Sequence, residues 1–221
     1  MTHWSLNLLK NNGLAVEHVI VDGRTRTKKN ALLEALNIQK GDFIYDVDVS
    51  SKLESVKNLP WVQSARVERR LPDTVYIKLI ERHPIGFWQE HKKHYLVDTN
   101  GDLIGQYPLK EFPGFIVATG KDANKNLPHL IEALSPYDSV YAKITGAIYV
   151  SNRRWDLILN NRVTVKLPED NIEDALKRVY ELAAENRLMS PKIDTIDLRS
   201  PGKVYFYMSK GGHSRKVGKR T

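Results

Sequence analysis

Residues 59–84 read LPWVQSARVERRLPDTVYIKLIERHP, and this stretch decides the fold around it. Val62 to Arg69 and Thr74 to Ile80 each alternate side-chain character with the two-residue period of a half-buried strand. Val62, Ala65, Val67, Val75, Ile77 and Leu79 are expected to face a core, which leaves Arg66, Glu68, Arg69, Lys78 and Glu81 for solvent. Arg70-Leu71-Pro72-Asp73 separates the runs: proline fixes φ, and aspartate can close a turn through its side chain. Pro60 stands before the first run, where a missing N–H costs least, and His83-Pro84 ends the second. The alternation falters at Ser64-Ala65, which predicts a bulge. The stretch therefore reads as a β-hairpin holding a small α+β domain together, and chemistry must come from elsewhere.

Upstream, Val16 to Val21 alternates and ends in the turn pair Asp22-Gly23. Thr27 is the expected N-cap of a helix to about Leu36, closed by Lys40-Gly41. Ser50 or Ser51 is expected to cap a second helix to about Asn58. The order is β-α-α-β-β, enough to close a small core. Beyond Arg82 the pattern turns mostly to strands: Ile85–Gln89, His94–Val97, Leu103-Ile104 at an edge, Phe112–Val117, Tyr141–Val150, Trp155–Asn160, Arg162–Leu167, Ile193–Leu198 and Lys203–Met208. Leu127–Leu134 has helical spacing, and Ile172–Asn186 is the clearest helix, with Ile172, Ala175, Leu176, Val179 and Leu182 on one stripe. Asn160-Asn161 suits a tight turn that needs positive φ.

The 221 residues suit one large domain or two small ones, and 41% hydrophobic content is ordinary for a folded chain. There is no cysteine, which excludes disulfides and thiolate metal sites. No run of 18 apolar residues is present. Of the net charge of +8, five units come from Lys210, Arg215, Lys216, Lys219 and Arg220. Residues 209–221 are glycine-rich and polar and are expected to be a disordered basic tail; a solvated end, a patch for acidic lipid or polymer, and a nucleic-acid arm compete as its role. No Walker loop, G-x-S-x-G or G-x-G-x-x-G occurs. His91 and His94 lie in a lysine-rich turn whose Lys92 and Lys93 repel a cation, and Asp42, Asp46 and Asp48 do not have the glycine and closing glutamate where a calcium loop needs them. The expectation is no enzyme, no cofactor and no metal.

Several segments, in this order, carry a family resemblance: VDGRTRT (21–27), KGDFIYDVD (40–48), residues 59–88, YLVDTNGDLIG (95–105), RRWDLIL (153–159), VKLPED (165–170) and IDLR (196–199). Together they resemble the FtsQ/DivIB family of cell-division proteins. The resemblance implies an α+β chain: a lead-in at 1–14 following a membrane anchor not in this sequence, a POTRA domain over 15–82, a mostly antiparallel β domain with a C-terminal helix over 83–208, then the tail. It implies a non-catalytic divisome scaffold, anchored in the inner membrane by a single span, with this part in the periplasm at the division septum. The implied partners are FtsB and FtsL, with other divisome proteins through the POTRA domain and no nucleic acid. A different class, a POTRA-bearing outer-membrane assembly or secretion component, would need a barrel downstream, and a basic-tail nucleic-acid binder would need the tail.

The last strand, KVYFYM, places Tyr205 and Tyr207 on one face and Val204, Phe206 and Met208 on the other. It is expected to be a sheet edge, whose open N–H and C=O groups accept a partner strand. The resemblance carries partner-binding positions to Arg154, Arg199, Ser200 and Gly202, and to Lys203, Val204, Tyr205, Phe206, Tyr207 and Met208. The alternatives are an ordinary core strand, and arginines held by Asp156 or Asp197.

Overall fold

The computed structural model describes residues 14–184 and 192–208, and the backbone of 217–220. It divides into two compact units between His83 and Pro84. In the first, β1 (His18–Asp22), β2 (Val62–Arg70) and β3 (Thr74–Glu81) form a sheet of order β1-β3-β2. β1 runs parallel to β3 and β2 antiparallel to it. Helices α1 (Lys29–Leu36) and α2 (Val49–Lys57) close the core, where Leu32, Leu36, Val56, Val67, Val75 and Ile77 are buried. Each such side chain contributes about 1.5–3 kcal/mol by leaving water.

The hairpin forms as its alternation predicts, with the bulge one step early, between Val62 and Ser64. Of the five residues expected to face solvent, Arg66, Arg69 and Lys78 are exposed, and Glu68 and Glu81 are half-buried. Arg69 is exposed, yet its Nε and Nη2 donate to the Val47 carbonyl at 3.1 and 2.7 Å. Glu81 accepts from the backbone N–H groups of Arg26 and Thr27, both at 2.7 Å. Caps differ too. Thr27 is buried rather than capping, and Lys28 stands at the N-cap of α1 without a side-chain bond. Asn37, in the left-handed region at φ 43°, closes α1 in place of Lys40-Gly41, since asparagine tolerates that conformation. Asp48, rather than either serine, caps α2 by accepting from the N–H groups of Ser50 and Ser51. Its side-chain oxygen thereby satisfies two orphan donors of the first turn.

Glu81 fastens the loop between β1 and α1 to the central strand. Partial burial favours its neutral form, but donors from Thr27, Arg26 and Thr25 outweigh that and hold its pKa below the usual glutamate value. Glu81→Gln is expected to cost the first unit about 2 kcal/mol near neutral pH, through loss of charge-assisted bonds. The folded pKa lies below the unfolded one. The carboxylate's contribution is therefore complete above the ordinary glutamate range and is lost as pH falls through the folded value. Thermal melts of both proteins across acid pH should converge at the acid end; a constant difference would contradict this role.

The second unit carries a ten-stranded sheet of order β13-β12-β11-β10-β9-β8-β7-β4-β5-β6. The strands are β4 (Pro84–Glu90), β5 (Lys93–Asp98), β6 (Leu103–Gln106), β7 (Val117–Thr119), β8 (Ile144–Val150), β9 (Arg154–Leu159), β10 (Val163–Lys166), β11 (Ile193–Asp197), β12 (Lys203–Met208) and β13 (Val217–Arg220). Most neighbours are antiparallel; β4–β7, β7–β8 and β10–β11 are parallel. Helices α3 (Ala123–Leu134), α4 (Asp138–Tyr141) and α5 (Ile172–Ala184) contribute apolar side chains to the core that includes Leu157, Val165 and Ile196. Asn160 and Asn161, at φ 48° and 55°, make the expected turn. Phe112 does not join a strand: β7 starts at Val117, and the rings of Phe112 and Phe115 pack on Phe87 at 6.0 and 6.4 Å instead. Residues 1–13 and 209–216 lie outside the described residues, and so do the expectations for the lead-in and most of the tail. Residues 217–220 differ from the expected disorder: they form β13. The last predicted strand is therefore not the sheet's edge.

Candidate functional site

The residues singled out in the sequence converge on the end of the sheet formed by β11, β12 and the neighbouring β9 and β10. In β9, Trp155, Leu157 and Leu159 belong to the core, so alternation turns Arg154, Asp156 and Ile158 to the opposite face. The registers then align one rung across five strands: Ile148 opposite Asp156, Asp156 opposite Lys166, Lys166 opposite Asp197, and Asp197 opposite Tyr205. Acid, base and acid alternate on this rung. Residues directly opposite one another in a sheet interact, so the sign alternation stabilises the pairing.

Each end of the charged rung holds one of the sequence-predicted arginines. Arg154 donates to the Asp156 carboxylate. Arg199 grips Asp197 in bidentate fashion, Nε to Oδ1 at 2.9 Å and Nη2 to Oδ2 at 2.7 Å, and its backbone N–H adds a third bond at 3.1 Å. Arg199 hydrogen bonding, against an opposing effect of burial, holds the Asp197 carboxyl below the usual aspartate value; the nearby Lys166 charge adds to it. The same contact raises Arg199. Both arginines thus have carboxylates within the chain. They differ in reach: the Arg199 side chain is 46% exposed and the Arg154 side chain 17%. A guanidinium fork already aligned by one carboxylate keeps further N–H donors for a second acceptor.

On β12 the alternation holds. Val204 and Phe206 pack on the core, while Tyr205 and Tyr207 lie on the face of the charged rung. Tyr207 and Met208 are 41% and 44% exposed. A cleft of about 310 Å³ is lined by Asp197, Arg199, Ser200, Tyr205 and Tyr207. A second, of about 340 Å³, lies between α5 and the turn that carries Ser200, Gly202 and Lys203. The structure therefore gathers Arg199, Ser200, Gly202 and the β12 residues, and sets Arg154 two strands away from β11 in the sheet.

Sequence reasoning missed Asp156 and Lys166 as members of the rung, and Asp174, Lys177, Arg178 and Glu181 of α5 as lining of the second cleft. The α5 set had a readable signal: spacings of three and four residues on the side away from the apolar stripe. The edge itself requires a correction. β13 pairs antiparallel with β12, Lys203 opposite Arg220 through Phe206 opposite Val217. Among the described residues no group of three or more His, Cys, Asp or Glu could hold a metal ion, and no helix is long and apolar enough to cross a membrane.

Comparison with known proteins adds the following. Residues 14–82 match the family model for the POTRA domain, FtsQ-type, and residues 86–199 match that for cell division protein FtsQ/DivIB, C-terminal. Cell division protein FtsQ of Rickettsia bellii is 35% identical over 193 residues, covering 87% of this chain and 72% of that protein. The protein of the same name from Zymomonas mobilis is 32% identical over 195 residues, covering 88% and 62%. A solved structure of the major extracytoplasmic domain of the trans isomer of DivIB from Geobacillus stearothermophilus is 16% identical. It covers 48% of this chain and 97% of its own, with a TM-score of 0.34.

Proposed function

The chain belongs to the FtsQ/DivIB family of cell division proteins, and from that premise we propose that it is a non-catalytic divisome scaffold that receives FtsB, together with FtsL, by strand addition at Lys203–Met208. In this reading it links early to late division proteins. It works from an inner-membrane anchor, with the two units in the periplasm at the septum. The first unit offers a separate surface to other divisome proteins.

One observation carries the reading. β12 stands near the end of a ten-stranded sheet with the four-residue β13 beyond it, and its Tyr205 and Tyr207 line one cleft with the exposed Arg199, which follows β11. A strand end provides main-chain hydrogen bonds for affinity, and flanking side chains provide register. Aromatic and arginine side chains are the usual anchors of such interfaces.

The test is calorimetric titration of the extracytoplasmic FtsB–FtsL pair into this chain and into a version ending at Gly202. Binding should be lost on truncation, with the first unit still folded by hydrogen exchange. Equal binding by both would overturn the β12 mechanism and direct attention to the first unit.

A further inference from the structure

We propose that the outer face of the first unit's sheet is the surface that receives another protein of the division machinery, and that the segment it takes is an acidic amphipathic helix. The proposal rests on the reading that this unit docks such partners, and it adds the surface and the chemistry. α1 and α2 pack on the inner face, where Val67 of β2, Ile77 of β3 and Val21 of β1 join the core. Alternation turns the next residue of each strand outward. The registers then align Ile20, Tyr76 and Glu68 on one outward rung, and Asp22, Lys78 and Arg66 on the next. Ile80 follows on β3, opposite Ser64. Ile20 and Ile80 are 48% and 52% exposed. Two isoleucines thus stand in water, one rung before Lys78 and one rung after it.

Charge on this face calls for an acid. Glu68 pairs with both Arg66 and Arg70. Asp22 accepts from the Tyr76 hydroxyl at 3.1 Å, and the Arg70 guanidinium lies 3.4 Å from the centroid of the Tyr76 ring. Both carboxylates are thus engaged. Lys78 stands directly opposite Arg66, and like charges so placed disfavour the pairing. A carboxylate from a partner relieves that rung. The dimensions select a helix. Three strands about 4.8 Å apart present a face about 10 Å wide, which one helix covers. An added strand needs a sheet edge instead, and an anionic membrane would meet Asp22 and Glu68 among the cations. Alternate residues of a strand are about 6.6 Å apart, so Ile20 and Ile80 lie about 13 Å apart in the strand direction. At about 1.5 Å per residue, a fitting helix has an apolar residue, a carboxylate about four residues on for Lys78, and a second apolar residue about four further on. Residues 1–13 contain Lys10 and no aspartate or glutamate, so the chain's own lead-in does not have this chemistry.

The test places a photoreactive residue on the face, as Ile20→benzoylphenylalanine or Ile80→benzoylphenylalanine in the whole chain, and irradiates dividing cells of its own species. Mass spectrometry should find adducts to a segment of another protein with that acidic and apolar spacing. Adding Lys78→Glu should lower the yield by about tenfold or more, because it sets like charges against each other across the contact. The melting midpoint followed by Trp61 should not fall, since Lys78 is exposed. An unchanged yield with Lys78→Glu would overturn the proposal. So would adducts confined to lipid, to a second copy of the chain, to its own residues or to a segment without carboxylates, and so would no adduct at either position. Leu33→benzoylphenylalanine, at an exposed position of α1, separates this surface from the docking reading beneath it. Protein adducts from Leu33 alone refute the surface and leave that reading standing; none from any of the three positions removes both.

Discussion

Gly23→Ala is expected to destabilise the first unit by about 3–5 kcal/mol, at the upper end of single-residue effects. Gly23 sits at φ +79° in the turn after β1, and a Cβ built there lies 2.1 Å from the carbonyl oxygen of Leu79. The left-handed conformation by itself costs an alanine about 1–2 kcal/mol. The rest is steric. Leu79 belongs to β3, the central strand, and is 3% exposed, so its backbone has nowhere to move. Relief must come from lifting the β1–α1 loop, which pulls the Arg26 and Thr27 N–H groups away from Glu81. Gly41→Ala is the control: φ is +95° but no atom lies within 4 Å of the new Cβ, so strain acts without a clash. Fluorescence of Trp61, buried in the first unit, should report a large drop in melting midpoint for Gly23→Ala and a small one for Gly41→Ala. Equal midpoints for the two variants would refute the close-approach argument. Partner binding at β12 should change little in either.

Phe206→Pro is expected to reduce FtsB–FtsL binding by more than about a hundredfold, equivalent to roughly 2.7 kcal/mol. Phe206 lies between Ile196 of β11 and Val217 of β13. Proline removes its N–H, locks φ, and cannot be accommodated in the middle of a sheet. Strand addition depends on the backbone of β12, so this one change removes the template and not merely an anchor. Phe206→Ala keeps the backbone and loses the ring, whose contacts are with the chain's own core. It should weaken the second unit more than it weakens binding. The Trp61 transition should be unmoved by either. Binding of the proline variant at parental strength would show that β12 does not carry the partner.

Much of the fold was legible locally. The alternation of residues 62–81 marks two strands because side chains on a pleated backbone reverse face at each step. The stripe from Ile172 to Leu182 marks α5, and Asn160-Asn161 its kind of turn, for similarly short-range reasons. Caps were harder. Asp48, Ser50 and Ser51 are all competent N-caps, and a carboxylate at the right step wins over a hydroxyl two or three residues further on. Glu81 misled because polar type says only that a side chain needs a partner, and its partners are the backbone groups of Arg26 and Thr27, distant in sequence.

The candidate site shows the same division. Sequence by itself determined the family, the element order of the first unit, and the strand KVYFYM with its two faces, because these depend on motifs and on the period of neighbouring residues. Tertiary structure alone decided what lies across from that strand. The rung Asp156–Lys166–Asp197–Tyr205 and the seat of residues 217–220 on β12 are set by register between strands far apart in the chain. A local period is unchanged when a strand slips by two residues, so it cannot choose among registers; packing of the two faces and matching of charge across the sheet make that choice.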